Sequence, residues 1–195
     1  MVDLATRGPL PILDGSESCR LLILGLGNPM MADDGIGHEV VSRLERSELP
    51  KGVRLFAIDG DVLDLMEVWR GETEVWLVDA VRSRQPAGAL HVYGHQNVLQ
   101  LPADRFSAHH PSVGECLRWM LHARPEMAAI EFRLYGIEVR SVRPARRLGR
   151  AVARAVDRLV GDICTATRHL DTPPIATPTR RDEKPGQTGD SVSQS

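Results

Sequence analysis

The side chains best suited to cation binding or proton transfer are carboxylates and imidazoles that end apolar runs. Asp33 and Asp34 stand side by side in GLGNPMMADDGIG (25–37), Asp59 closes VRLFAID, Asp79 lies in WLVDAV, and His109 and His110 end FSAHH. A carboxylate among apolar neighbours, as Asp79 is, stays ionised only with a cation or several donors beside it. Two carboxylates and an imidazole meeting in space suit zinc, nickel or iron and leave coordination positions open. The same groups also serve as general acids and bases. Each has a plainer alternative. Asp34 alone can be a helix N-cap and Asp79 a cap for a neighbouring helix. Asp59-Gly60-Asp61 reads as a turn, and the two histidines as ordinary loop residues.

Several other chemistries fail on spacing. The glycine run breaks the G-x-G-x-x-G fingerprint, because Met30 stands where the third glycine belongs, and it lacks the G-K-[ST] of a phosphate loop. His38-Glu39 opens like H-E-x-x-H, but Ser42 replaces the second histidine. There is no G-x-S-x-G elbow. Cys116 falls on the apolar stripe of a helical period, which predicts core. His38, His91, His95, His122 and His169 show no partner pattern.

The elements that must position these groups follow from hydrophobic periodicity. Continuous or alternating apolar runs predict strands at 21–27, 53–59, 74–81, 89–95 and 131–139. Ile36, Val40, Val41 and Leu44 share one helical face. Val62, Leu65, Met66 and Trp69 mark a second helix. A third runs through Val113, Cys116, Leu117, Met120 and Leu121, with Pro111 as its first-turn residue. A closing helix carries Leu148, Val152, Val156 and Leu159, with Arg146, Arg147, Arg150, Arg154 and Arg158 on its solvated faces. Strand–helix alternation predicts an α/β fold: three layers, with a mainly parallel twisted sheet of about five strands flanked by helices. Such sheets bind ligands at the carboxyl ends of their strands. There Asn28, Asp33 and Asp34 follow the first strand, Asp59 closes the second, Asp79 lies near the end of the third, and His109 and His110 occupy the loop after the fourth. The opposite edge offers no comparable set.

Composition narrows the partners. Twenty-four Lys and Arg against 26 Asp and Glu give a net charge of −2, which argues against a nucleic-acid footprint. No apolar run nears the ~20 residues that cross a bilayer, and the opening residues lack a secretory pattern. Cys19, Cys116 and Cys164 are widely separated, as suits reduced thiols in a cytoplasm. Residues 1–18 are expected to be a flexible N-terminal segment, 19–165 the α/β domain, and 170–195, with four prolines, a disordered tail.

In this order and spacing, GLGNPMMADDGIG, AIDGD, WLVDAV, FSAHH and LYGIE resemble the hydrogenase maturation proteases. These endopeptidases remove the C-terminal extension of the nickel-iron hydrogenase large subunit. The resemblance spans about residues 20–160. It implies a twisted α/β sheet and recognition of nickel through Asp34, Asp79 and His109, the metal arriving with the large-subunit precursor. Asp59 matches the aspartate of the family's D-G-G-like turn. Asp33, His110 and Asn28 are further candidates: family members often carry glutamate as the second acid of the pair, where this chain has Asp33-Asp34, and a second histidine follows His109. Catalytic candidates are Asp34, Asp79 and Asp59, with no role fixed among them. Two other readings stand beside this one. GLGNP also opens peptidyl-tRNA hydrolases, although MMADDGIG replaces the Arg-His-Asn run of that class. A non-enzymatic metal- or nucleotide-binding module is the other. Removing residues 171–195 should leave the thermal melting midpoint unchanged, as read by circular dichroism.

Overall fold

The computed structural model describes residues 19–102, 112–140 and 147–171. The segment 1–18, the pair His109-His110 with Pro111, Arg146, and residues 172–195 of the expected tail lie outside the described residues. The tail's first two residues, by contrast, end a 3-10 helix (Arg168–Asp171), with Leu170 packed against the core.

The five apolar runs form one sheet: β1 (Leu21–Leu26), β2 (Val53–Ile58), β3 (Glu74–Val81), β4 (Leu90–Tyr93) and β5 (Glu131–Glu138), in the order β2-β1-β3-β5-β4. β1 pairs in parallel with β2 and β3, and β3 with β5; the short edge strand β4 runs antiparallel to β5. β1 is buried along its whole length, as its unbroken aliphatic run requires of a strand flanked on both sides.

The expected helices are α1 (Ile36–Leu44), α2 (Leu65–Val68), α4 (Val113–Ala123) and α5 (Arg150–Thr167). α2 is shorter than its periodicity suggests. Its first turn is a 3-10 helix (Val62–Asp64) that Asp61 caps by accepting from the Leu63 N–H at 2.7 Å, and Trp69 already leaves in an extended conformation. A five-residue helix, α3 (His95–Leu99), has too few residues for a period to show. α4 opens on a capping box between Ser112 and Glu115, which supplies the start signal expected of Pro111.

Strand alternation divides the core into two layers. Leu22, Leu24, Leu26, Val75, Leu77 and Phe132 pack with α2, α3 and α4, and Cys116 is buried among them as expected. Leu21, Ile23, Trp76, Val78, Tyr135 and Ile137 pack with α1 and α5. Arg147, Arg150, Arg154 and Arg158 are exposed, so the arginine-rich side of α5 is its solvent side.

Two glycines seat α1 on the sheet. A Cβ on Gly25 of β1 would stand 2.3 Å from the Gly37 carbonyl oxygen, and one on Gly37 would stand 2.3 Å from the Leu26 nitrogen. Helix and strand backbones touch with no room for a methyl group. The glycine run therefore sets the packing distance between helix and strand. Between β1 and β3 the strand order reverses direction, since β2 lies on one side of β1 and β3 on the other. That switch is where open α/β sheets place ligands. Gly37→Ala should lower stability by about 3 kcal/mol, because the obstacle is backbone and cannot rotate away; chemical denaturation checks this.

Candidate functional site

Gly27, at φ +116°, turns the chain sharply off the end of β1. The loop then folds on itself: Asn28 Oδ1 accepts from the Met30 N–H at 2.9 Å, and the Asn28 N–H donates to Asp34 Oδ2 at 3.2 Å. Asp34 thus binds backwards across its own loop. It does not cap α1, whose N-cap, Gly35, receives no side-chain bond. Asp79 approaches from β3, the next strand, where Val78 is in register with Gly25. Burial pushes the Asp79 carboxyl up to about 7; the Ala80 N–H opposes this, and the charge of Asp34 adds to the rise. Two carboxylates from neighbouring strand ends therefore repel one another at the switch.

The adjacent acids separate cleanly. Asp33 Oδ1 accepts from the Gly149 N–H at 2.8 Å, placing its charge on the N-terminus of the 18-residue α5. It ties the loop to that helix, while the charge of Asp34 is felt at Asp79. Asn28 is engaged in the turn through its side chain and supports Asp34 through its backbone. Asp59 lies at the rim with its side chain 77% exposed and one oxygen 3.0 Å from His38 Nε2. His109 and His110 lie outside the described residues, so their contacts do not enter this geometry. Three positions after His109, Ser112 donates to the Leu101 carbonyl at 3.3 Å. Burial first, then the charges of Asp61 and Glu115, raises the Cys116 thiol, so the first turn of α4 stands near the turn after β2.

Three histidines with no legible partner in the sequence have one in the fold. His38 reaches the ends of β1 and β2. His91 Nε2 stands 3.3 Å from Glu138, and His95 Nδ1 accepts from the Phe132 N–H at 3.1 Å. Glu138 is buried at the end of β5. Burial is the largest influence and opposes its charge, but bonds from the Ser83 hydroxyl and N–H, together with His91, outweigh it and hold the carboxyl below its ordinary value. The opposite sheet edge carries ion pairs: Arg54 with buried Glu72 and Arg20 with Glu74. These are opposite-sign contacts that balance locally, whereas Asp34 and Asp79 share a sign. No group of three metal-ligand side chains closes among the described residues.

The sequence model of the hydrogenase maturation protease family matches residues 38–166. The chain belongs to that family. It is 28% identical over 138 residues to protein FrxA of Pyrococcus furiosus, covering 71% of this chain and 98% of that one. A putative hydrogenase maturation protease of Methanocaldococcus jannaschii is 24% identical over 147 residues, with 73% and 96% covered. Among solved structures, the hydrogenase maturating endopeptidase HybD from Escherichia coli superposes with a TM-score of 0.66 at 21% identity, over 77% of this chain and 93% of that one. The fold is the same.

This hydrogenase maturation protease is therefore a peptide-bond hydrolase built on the expected sheet, and neither the peptidyl-tRNA hydrolase reading nor the non-enzymatic module is retained. No helix among the described residues is long and apolar enough to cross a membrane. Two outcomes follow from the acids. Asp33→Ala should cost about 1 kcal/mol through loss of the α5 anchor, measured by urea denaturation. Asp79, with its folded-state carboxyl above the ordinary value, makes the metal-free protein lose stability as pH rises from about 4 through 7. Asp79→Asn should flatten that slope and raise stability at pH 8 by roughly 2 kcal/mol, after allowance for solvent screening at a half-buried site; melts across pH check it.

Proposed function

We propose that this protease removes the C-terminal extension of a nickel-iron hydrogenase large-subunit precursor, in the cytoplasm, after nickel has been inserted. Its nickel-reading ligands are Asp34, Asp79 and a loop imidazole, His109 in the motif match. The observation that carries the reading is the like-charged pair at the β1–β3 switch. Burial makes Asp79 hard to ionise, the charge of Asp34 adds to this, and a borderline divalent cation with carboxylate and imidazole donors offsets both. Neither acid is consumed by capping a helix. Asp33, the nearest competitor, is held by α5. From His109 to Ser112 the chain spans at most about 10 Å, and the first turn of α4 stands near the sheet edge bearing Asp59 and Asp61.

A metal already held in the substrate needs only a few added ligands and an open edge, so cleavage is confined to loaded precursor. Bound there, nickel supplies either polarisation of the scissile carbonyl or a recognition feature alone, with a carboxylate acting as base. Asp34 or Asp79 would serve as that base, and Asp59, exposed at the rim, would contact the substrate. Purified protease should cut nickel-loaded large subunit and leave nickel-free precursor intact, scored by the mobility shift of the processed subunit. Asp34→Ala, Asp79→Ala and His109→Ala should each abolish cutting, by 100-fold or more as a rough figure, while circular dichroism stays native. Equal cutting of empty precursor would overturn the nickel requirement.

A further inference from the structure

His38 has three neighbours around one ring nitrogen. Its Nε2 lies 3.1 Å from the Gly27 carbonyl oxygen, 3.2 Å from the Ile58 carbonyl oxygen and 3.0 Å from Asp59 Oδ1. All three can only accept, so this nitrogen carries the proton; it bonds the two carbonyls, and its N–H dipole lies against the Asp59 carboxylate. Gly27 begins the loop that carries Asp34. Ile58 ends β2, and Asp59 starts the turn after it. One N–H thus gathers the ends of two parallel strands and the first carboxylate of the second loop. The anchor for that N–H is firm, since the preceding residue is Gly37, where α1 touches β1 without space for a methyl group. The imidazole also lines a groove of about 540 Å³ with Pro29, Gly35, Glu39, Ser42 and Arg43. Only one Asp59 oxygen is placed against His38, and its side chain is largely exposed.

We infer that His38 is a positioning residue: by bonding the Gly27 and Ile58 carbonyls and setting its N–H against Asp59 Oδ1, it presents the Asp59 carboxylate to the precursor at a fixed offset from Asp34. This rests on the proposed reading of the chain as a precursor-processing enzyme, and adds to it a determinant of substrate recognition. His38 touches neither Asp34 nor Asp79. Its loss should therefore act on binding made equally in ground and transition states, which moves KM and spares kcat.

The test is steady-state cleavage of nickel-loaded precursor by wild type, His38→Leu, His38→Gln, Asp59→Ala and the His38→Leu/Asp59→Ala double variant, with melting midpoints recorded for each. His38→Leu should raise KM about tenfold with kcat nearly constant, as the loss of a bond to a charged group warrants. His38→Gln, which retains an N–H at that reach, should return KM close to wild type. Asp59→Ala should raise KM similarly, and the double variant should be no worse than either single one. Unchanged KM in His38→Leu, failure of His38→Gln to restore it, or additive losses in the double variant would each overturn the inference. Should His38→Leu not fold, Asp59→Ala decides, because wild-type KM there removes the target of positioning. A wild-type enzyme that leaves loaded precursor uncut sinks the functional reading as well, whereas unaltered KM in a working enzyme sinks only the role of His38.

Discussion

The cost of burying the Asp79 carboxylate, to which the charge of Asp34 adds, is the constraint around which the site is arranged. Each carboxylate belongs to a strand end, and the strands are neighbours, so a parallel sheet with its switch between β1 and β3 delivers both to one place. Burial and a neighbouring charge of the same sign push the Asp79 carboxyl up to about 7. A fold tolerates such a pair only when other interactions hold it together, or when a cation relieves it. The two apolar layers on either face of the sheet provide the first. Aliphatic side chains of β1 and β3 are fully buried beneath the acids, each contributing about 1.5–3 kcal/mol.

The loop bearing Asp34 is held at several points by unlike means. Backbone contact at Gly25 and Gly37 fixes where α1 begins. The Asp33 carboxylate joins the same loop to the start of α5, where helix polarity favours a negative charge. The Asn28 turn closes it from within. Adjacent aspartates thus divide the labour, Asp33 tying the loop to α5 and Asp34 closing the loop on itself with its charge felt at Asp79. Held in this way, the loop carries Asp34 with little freedom to reorganise.

Charge elsewhere obeys the opposite rule. Glu138 is more buried than Asp79, yet donors from Ser83 and His91 keep it ionised. Glu72 is buried against Arg54 and receives the Arg70 N–H at 2.7 Å. Among the described residues, these two buried carboxylates have several donors or a cation, whereas Asp79 has the single Ala80 N–H and its carboxyl is pushed up. That contrast separates a structural acid from a candidate functional one more sharply than burial alone.

Much of this was legible along the chain. Apolar runs of strand length and helical spacings give the α/β class, the five strands and the main helices, because burial on one or two faces leaves a periodic trace in the residues themselves. The rule that ligands gather at carboxyl strand ends then places Asp34, Asp59 and Asp79 on one edge. Other features leave no such trace. Which of Asp33 and Asp34 faces inward depends on a contact with Gly149, 116 residues away. The partners of His38 lie across two strand ends, those of Glu138 lie 55 and 47 positions earlier, and α3 is too short to show a period. Sequence alone determined which segments would be buried, since hydrophobicity is a property of each residue. Only the tertiary structure decided which polar groups would meet, since hydrogen bonds and charge repulsion depend on distances that the folded chain sets.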